Sequence, residues 1–326
     1  MNKIIKKVTA VALSGVLMAT AFAGCSGDSN NSDKTYKVGI CQLVQHDALD
    51  AATEGFKAAL KEQLGDKVEF DEQNASGDSA TCATITNQFV ANGVDLIMAN
   101  ATPALQAATA STADIPIVAT SVTDFATALS IDDWTGKTGT NVTGTADLAP
   151  LEEQAKMIQE LCPDAKTIGL LYCSAEANSV YQIKTIEKTL DTLGIAYKEY
   201  SAADSNDIAA VTKTACDECD ALYIPTDNTM ASNTEVVNNI AEPAGKAIIT
   251  GEEGLCKGCG IATLSISYYS IGYEAGKMAA QILTEGANPA DMEIQYAKEL
   301  TKKYIPSRAE KLSVVVPADY EAITEG

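Results

Sequence analysis

Short apolar runs alternate with amphipathic stretches along nearly the whole chain. Strand-like runs fall at 36–41, 68–72, 95–100 and 115–121, and the same rhythm returns at 167–173, 196–200, 221–225 and 247–250. Between them, apolar positions recur at helical spacing. Leu49, Ala52, Phe56, Leu60 and Leu64 share one face, as do Val180, Ile183, Ile186, Leu190 and Leu193. Strands alternating with helices form parallel βαβ units, and two successive sets of them predict two sheets rather than one very wide one. The expectation is an α/β fold of two doubly wound parallel-sheet lobes joined by a multi-strand hinge, with the stretch from Asn141 to Asp147 (NVTGTAD) as the first crossover. After a strand from Ile261, a helix with Ile271, Ala275, Met278, Ile282 and Leu283 on one face ends at Gly286 and Pro289, which predicts a crossing back to the first lobe. The tail, through 292–296 and 312–316, is expected to return once more. The first lobe would then comprise 36–145 plus 264–295, and the second 146–263 plus 296–326. Open parallel sheets bind ligands at the carboxyl ends of their strands, so two such lobes face each other across a cleft.

Composition fits this plan: 326 residues with 46% apolar content are enough for two cores. The first 24 residues differ from the rest. Lys3, Lys6 and Lys7 precede an apolar run and small residues, the pattern of a secretory leader. Phe22-Ala23-Gly24-Cys25 resembles a bacterial lipobox, whose cysteine thiolate receives diacylglycerol. Cys25 is the expected lipidation site, and 25–35 reads as a polar, flexible, lipidated tether. The chain has 23 basic against 44 acidic residues, a formal charge of −21; loss of the three leader lysines deepens it to −24. Such a surface repels phosphate backbones and argues against nucleic acid as a partner.

Candidate chemistry gathers where strands end. Gln45, His46 and Asp47 follow the first strand, and His46 is the only histidine in the sequence. A zinc site with two histidines is thereby excluded, and a Ser/His/Asp triad could draw on this residue alone. His46 is read as part of a loop or pocket wall. The third run leads into Thr102 and Pro103, expected as helix N-cap and first helical residue, with a hydroxyl and backbone N–H groups suited to a carboxylate. Ser121, Val122, Thr123 and Asp124 close the next strand, so two hydroxyl-bearing turns converge on one anion. In the second lobe, Glu176, Asn178 and Ser179 mirror the 45–47 loop. Asp227 and Asn228 follow another strand, with Asp227 either capping a helix or meeting an ammonium group. The pairs Cys216/Cys219 and Cys256/Cys259 leave zinc, local disulfides and free thiols open, whereas Cys41 and Cys173 read as small packed residues. No catalytic residue, resident metal or cofactor is expected, and no glycine-rich phosphate loop ends in Lys-Ser or Lys-Thr.

Val122-Thr123-Asp124, the stretch 141–144 with Asp147, 168–172 with Glu176 to Ser179, 223–228, and Tyr268-Tyr269 with Gly272 follow a familiar order. In these motifs the chain resembles ABC-transporter substrate-binding proteins of the tryptophan/tyrosine (TrpX-like) family. Phe125 and Asp47 depart from it, standing where the family often has proline. The resemblance implies a type I periplasmic-binding fold in a monomeric, extracytoplasmic lipoprotein anchored to the bacterial cell membrane. It implies capture of a small amino acid, Trp, Tyr or Phe, by hinge closure and delivery to ABC permease subunits. Thr102, Ser121 and Thr123 would then hold the ligand carboxylate and Asp227 its ammonium. Glu176, Asn178, Ser179 and Asn228 would close from the second lobe, and Gln45, His46 and Asp47 would line the side-chain end. Two other readings use the same cleft: the ligand-sensing subunit of a signalling system, and transport of a branched-chain amino acid, nucleoside or sugar.

Overall fold

The computed structural model describes residues 34–324, so the leader, Cys25 and nearly all of the tether lie outside the described residues. The first sheet uses β1 (Tyr36–Gln42), β2 (Val68–Asn74), β3 (Leu96–Asn100), β4 (Ile117–Val122) and β5 (Val142–Ala146), linked by α1 (Asp47–Leu64), α2 (Ser79–Asn92), α3 (Thr102–Ser111) and α4 (Phe125–Leu129). The second uses β6 (Thr167–Cys173), β7 (Ala196–Ala202), β8 (Ala221–Ile224), β9 (Ala247–Thr250) and β10 (Ala262–Ser265). Its helices are α5 (Leu151–Leu161), α6 (Ala177–Leu193), α7 (Ile208–Glu218), α8 (Asn228–Ala231), α9 (Thr234–Ala241) and α10 (Glu253–Cys259). The chain then returns to the first lobe through α11 (Tyr268–Glu285) and β11 (Gln295–Tyr296). It ends in the second through β12 (Thr301–Tyr304), α12 (Pro306–Lys311) and β13 (Glu321–Ala322).

Strand orders are β2-β1-β3-β4-β5-β11 and β7-β6-β8-β9-β10-β12-β13. All neighbouring pairs are parallel except β10 with β12. Both sheets are covered on two faces, which is why their central strands are continuously apolar. One face of the first sheet carries Val38, Ile40, Leu96, Met98 and Val118 against α1 and α11. The two helices lie very close together. A Cβ on Gly55 would overlap the Tyr269 carbonyl, and one on Gly272 the Ala52 carbonyl, so neither position admits a side chain.

The chain passes between the sheets at 147–150, 266–267 and 297–300. Ala149, Ile266 and Ala297, one from each passage, pack together with Ala48, Ala52, Tyr268 and Ile271. The expected lobe boundaries need small corrections: β5 continues through Ala146, and β10 runs across the expected break at 263/264 while still paired with β12. A larger correction concerns the tail. Its returning strand is β12, antiparallel to β10, not 312–316, where Leu312, Val314 and Val316 pack on the second-lobe core without forming a strand. The reason is chemical: Thr301-Lys302-Lys303-Tyr304 is only half-buried and carries no apolar alternation to read.

Candidate functional site

In the first lobe, β3 and β4 end side by side in backbone that L-residues avoid. Ala101 has φ 91° and Ser121 φ 56°, and the Ala101 N–H donates to the Thr120 carbonyl at 3.1 Å. Such conformations persist only where the surroundings impose them, and they concentrate at functional sites. Here the cause is visible. The register of β4 against β5 shifts between Ala119 and Val122, placing Ser121 in a bulge, and a Cβ on Gly144 would overlap the Ala119 carbonyl. A bulge re-aims the side chain it carries. The outcome is two buried hydroxyls, Thr102 Oγ1 and Ser121 Oγ, with no protein partner.

Two expectations are corrected at this edge. Thr102 is the first helical residue rather than the N-cap; Ala101 holds the cap position without a side-chain bond, so the threonine hydroxyl is not used in capping. Val122 is fully buried in the first-lobe core and does not face the cleft, because strand alternation turns its side chain inward. Asp124 caps α4 by accepting from the Thr127 N–H at 2.7 Å. Thr123 points the other way and donates to Asp147 Oδ1 at 3.1 Å, while the Tyr268 hydroxyl donates to Asp147 Oδ2 at 2.8 Å. Burial raises the Asp147 pKa, and these two bonds offset part of the rise.

The second-lobe edge is organised around Glu176. Its carboxylate accepts from Asn178 Nδ2 at 3.1 Å, the Asn228 N–H at 3.1 Å and Asn228 Nδ2 at 2.6 Å, and from the Thr229 N–H and Oγ1 at 2.7 Å each. Asp227 caps α8 through the Met230 N–H at 2.8 Å and accepts the Cys173 N–H at 2.6 Å. Burial and the neighbouring Glu176 raise its pKa to about 7, against the hydrogen bonds it accepts, including one from Ser179. Asn178 donates to Glu176, Ser179 and the Thr226 carbonyl, yet its Oδ1 is buried without a partner. Glu252, at the end of β9, caps α10 through the Gly254 and Leu255 N–H groups, and burial raises its pKa to about 7. Asp147, Glu176, Asp227 and Glu252 are all buried, and no lysine or arginine of the described residues forms an ion pair with any of them. Buried negative charge without a cation is unfavourable unless a ligand supplies one.

The two edges touch. His46 Nε2 lies 3.2 Å from Asn228 Oδ1, and Gln182 Nε2 donates to Thr123 Oγ1 at 3.4 Å while also holding the Thr226 carbonyl at 3.0 Å. A cavity of about 230 Å³ opens between Leu43, Val44 and Pro103 on one side and Glu176, Asn228 and Thr229 on the other. His46 lines an adjoining notch of about 350 Å³ with Ser232 and Thr234; Gln45 and Asp47 stand exposed at its rim. The structure thus brings Thr102, Ser121 and Thr123 to one edge and Glu176, Asn178, Ser179, Asp227 and Asn228 to the other. Sequence reasoning did not assign Gln182, Asp147, Glu252 or Tyr268 to the site. Gln182 carried a signal, since it lies four residues after Asn178 and so on the same face of α6. The eight cysteines from Cys41 onward are free thiols, with Cys216, Cys219 and Cys259 in one core and Cys256 packed against Ile305 and Ile323.

The model of the family described as ABC transporter substrate binding protein matches residues 37–322. A tyrosine-binding protein of Clostridioides difficile (strain R20291) is 34% identical over 302 residues, covering 89% of this chain and 87% of that protein. Among solved structures, an ABC domain in complex with L-Trp from Streptococcus pneumoniae superposes with a TM-score of 0.84 at 32% identity, over 87% of this chain and 97% of that one. A ligand-free, open substrate-binding protein with adhesive properties from Clostridium difficile, also 32% identical, gives 0.68 over 90% and 100%. The bonds across the cleft, His46 with Asn228 and Gln182 with Thr123, hold the two lobes of this chain together. The fold is that of type I periplasmic-binding proteins.

Proposed function

The chain belongs to the ABC transporter substrate-binding proteins and serves solute capture for an importer, and from that premise we propose that its solute is an aromatic amino acid, tryptophan or tyrosine first. The relatives that bind tyrosine and tryptophan support this reading. The observation that carries it is that four of the eight buried side-chain atoms without a partner among the described residues come from the facing edges of the two lobes: Thr102 Oγ1, Ser121 Oγ, Asn178 Oδ1 and His46 Nδ1. Buried polar groups are almost always hydrogen-bonded, and a ligand held between the two edges would supply the partners these four lack.

An amino acid matches them in kind. Thr102 and Ser121 donate to its carboxylate, Thr123 standing beside them, and the start of α3 adds a favourable dipole. Its ammonium supplies the cation that the buried acids lack. Asn178 Oδ1 and Asp227 receive it, Asp227 through the lone pair left over after its two backbone bonds and the bond from Ser179. Closure about the three passages brings the Glu176 network onto a ligand already seated on the first lobe. Contacts made only in the closed form shift the equilibrium toward it, and the permease recognises that shape.

The protein works outside the cytoplasmic membrane as a capture protein rather than an enzyme. Among the described residues no helix is long and apolar enough to cross a membrane, and lipid on Cys25 provides the attachment of a single-chain body. The test is calorimetric titration of the soluble form from Ser26 onward, refolded to strip carried-over ligand, against the common amino acids, nucleosides and sugars. Saturable one-to-one binding of tryptophan or tyrosine is expected. Silence toward every aromatic amino acid, with binding of another solute, removes the proposal.

A further inference from the structure

We propose that Cys41 and Cys82 form a disulfide by exchange with an external disulfide, stapling the first turn of α2 to the end of β1 beneath one wall of the cleft. The inference is independent of which solute the cleft takes. A protein that works outside the cytoplasmic membrane meets conditions in which such bonds persist.

The pairing follows from how α2 crosses β1. A Cβ on Gly39 would meet the Phe89 ring at 2.6 Å, so the helix passes over the strand at that point. Cys82 lies two helical turns earlier on α2, about 10 Å back. Cys41 lies on the same face of β1 as residue 39, about 7 Å further along. Helix and strand run in opposite directions, so both steps lead to one place. There the two cysteines are fully buried in one core with Leu43, Ile85 and Phe89, and the Cys41 thiol donates a hydrogen bond to Cys82. The backbone fixes this alignment independently. The Ala75 N–H donates to the Gln42 carbonyl at 2.9 Å and the Gly77 N–H to the Leu43 carbonyl at 2.8 Å, while Asp78 caps α2 through the Ala80 and Thr81 N–H groups.

Other thiols are engaged elsewhere. Cys173 donates to the Ala203 carbonyl at 3.7 Å, Cys219 to the Tyr200 hydroxyl at 3.4 Å and Cys259 to the Leu255 carbonyl at 3.4 Å. Cys256 packs against Ile305 and Ile323. The chemistry is thiol–disulfide exchange. One cysteine of the pair, as its thiolate, attacks a sulfur of the external disulfide and expels a thiolate. The second cysteine then attacks the protein sulfur of the mixed disulfide, its proton passing to the departed thiolate, and the remaining external group leaves. Two electrons leave the protein, and one external disulfide becomes two thiols. Both cysteines are fully buried in the folded lobe, which directs exchange to the chain before α2 seats on β1 and shields the finished bond from reduction. The bond ties together two parts of one wall. Leu43 and Val44 follow β1, Ser76, Gly77 and Ser79 sit at the start of α2, and all five line the cavity of about 230 Å³.

The test refolds the soluble form from Ser26 onward out of urea in a buffer of oxidised and reduced glutathione, traps free thiols with an alkylating reagent and maps the peptides by mass. One linkage is expected, Cys41 to Cys82, with the remaining cysteines recovered alkylated. The oxidised protein should melt about 5–10 °C above the same protein reduced, because a closed loop of this length restricts the unfolded chain. Replacing the pair together, Cys41→Ala with Cys82→Ala, should abolish that difference. The peptide map uses the unaltered sequence, so it decides the matter even where the double variant fails to fold. Recovery of Cys41 and Cys82 as alkylated thiols in excess oxidised glutathione, linkage of either to another cysteine, or a melting point that reduction leaves unchanged overturns the proposal.

Discussion

The two strand edges that face each other across the cleft are built on opposite principles. At the first-lobe edge, strained backbone at Ala101 and Ser121 presents hydroxyls that nothing in the protein satisfies. At the second-lobe edge, Glu176 and Asp227 are held by their own neighbours before any ligand arrives. One edge stores strain and open hydroxyls; the other is a network complete except at Asn178 Oδ1. The difference assigns an order to capture: the open edge receives the solute, and the satisfied edge arrives as a rigid jaw that loses little freedom on closing.

The largest effect is expected where the finished network is broken. Glu176→Gln sets an amide against donors that need an acceptor, and should cost at least about 3 kcal/mol of stability in urea unfolding. A loss below about 1 kcal/mol would show that the hub is not loaded as described. The open edge should respond in the reverse sense. Thr102→Val and Ser121→Gly should each weaken ligand binding roughly tenfold without destabilising the free protein, and Ser121→Gly should stabilise it by about 1 kcal/mol by relieving the positive φ. If Ser121→Gly unfolds more easily than the wild type, the contrast between the edges fails.

The acids supply a pH test. Asp227 rises from 3.8 to about 7 and Glu252 from 4.5 to about 7, so both bind protons more tightly folded than unfolded. Their contribution to stability is full below the unfolded values and is lost as pH rises through about 7. A ligand ammonium favours the ionised form of Asp227 and opposes that loss. The melting-point gain from saturating ligand should therefore grow by roughly 2–4 °C across this window. A gain that is flat with pH would remove Asp227 as the ammonium partner. The smallest effect belongs to the rim, where Gln45→Ala, at an exposed position, should change affinity by no more than about twofold.

How far the sequence revealed this depends on the range of each interaction. The βαβ rhythm is local, and the strands from β1 to β10 coincide with a strand-like signal except at their ends and except for β5, whose stretch from Asn141 to Asp147 was read as the crossover but is a strand of the first sheet. β12 escaped because its residues are polar and half-buried, Lys302 reaching Glu160 and Asp319. Thr102-Pro103 marked the start of α3 within one residue, but nothing in an alanine announces the φ that makes residue 101 the cap. Ser121 was chosen for its hydroxyl; the bulge that aims it arises from pairing with β5, which no pattern within β4 encodes. Asp227 read as a cap because capping is local, whereas two of the three partners of Glu176, Asn228 and Thr229, lie 52 and 53 residues away and appear only once the sheet has formed. Gln45 and Asp47 were drawn in by adjacency to His46, yet both stand exposed at the rim, Gln45 in the loop before it and Asp47 in the first turn of α1.

The contact between α1 and α11 bears on how the protein comes to be folded at all. The second sheet collects β6 to β10 from one unbroken stretch of chain, while the first sheet leaves Val38, Ile40 and Val118 covered by α1 alone until α11 arrives from beyond that stretch. As the polypeptide lengthens from its amino end, neither lobe can close its core early: the first waits for α11, and the second for the tail that brings Ile305, Leu312 and Tyr320 onto it. The earlier lobe stays an incomplete, sticky intermediate throughout synthesis of its partner, the interval in which aggregation competes with folding. The bare backbone at Gly55 and Gly272 ends that interval, letting a late helix seat against an early one without side chains in the way.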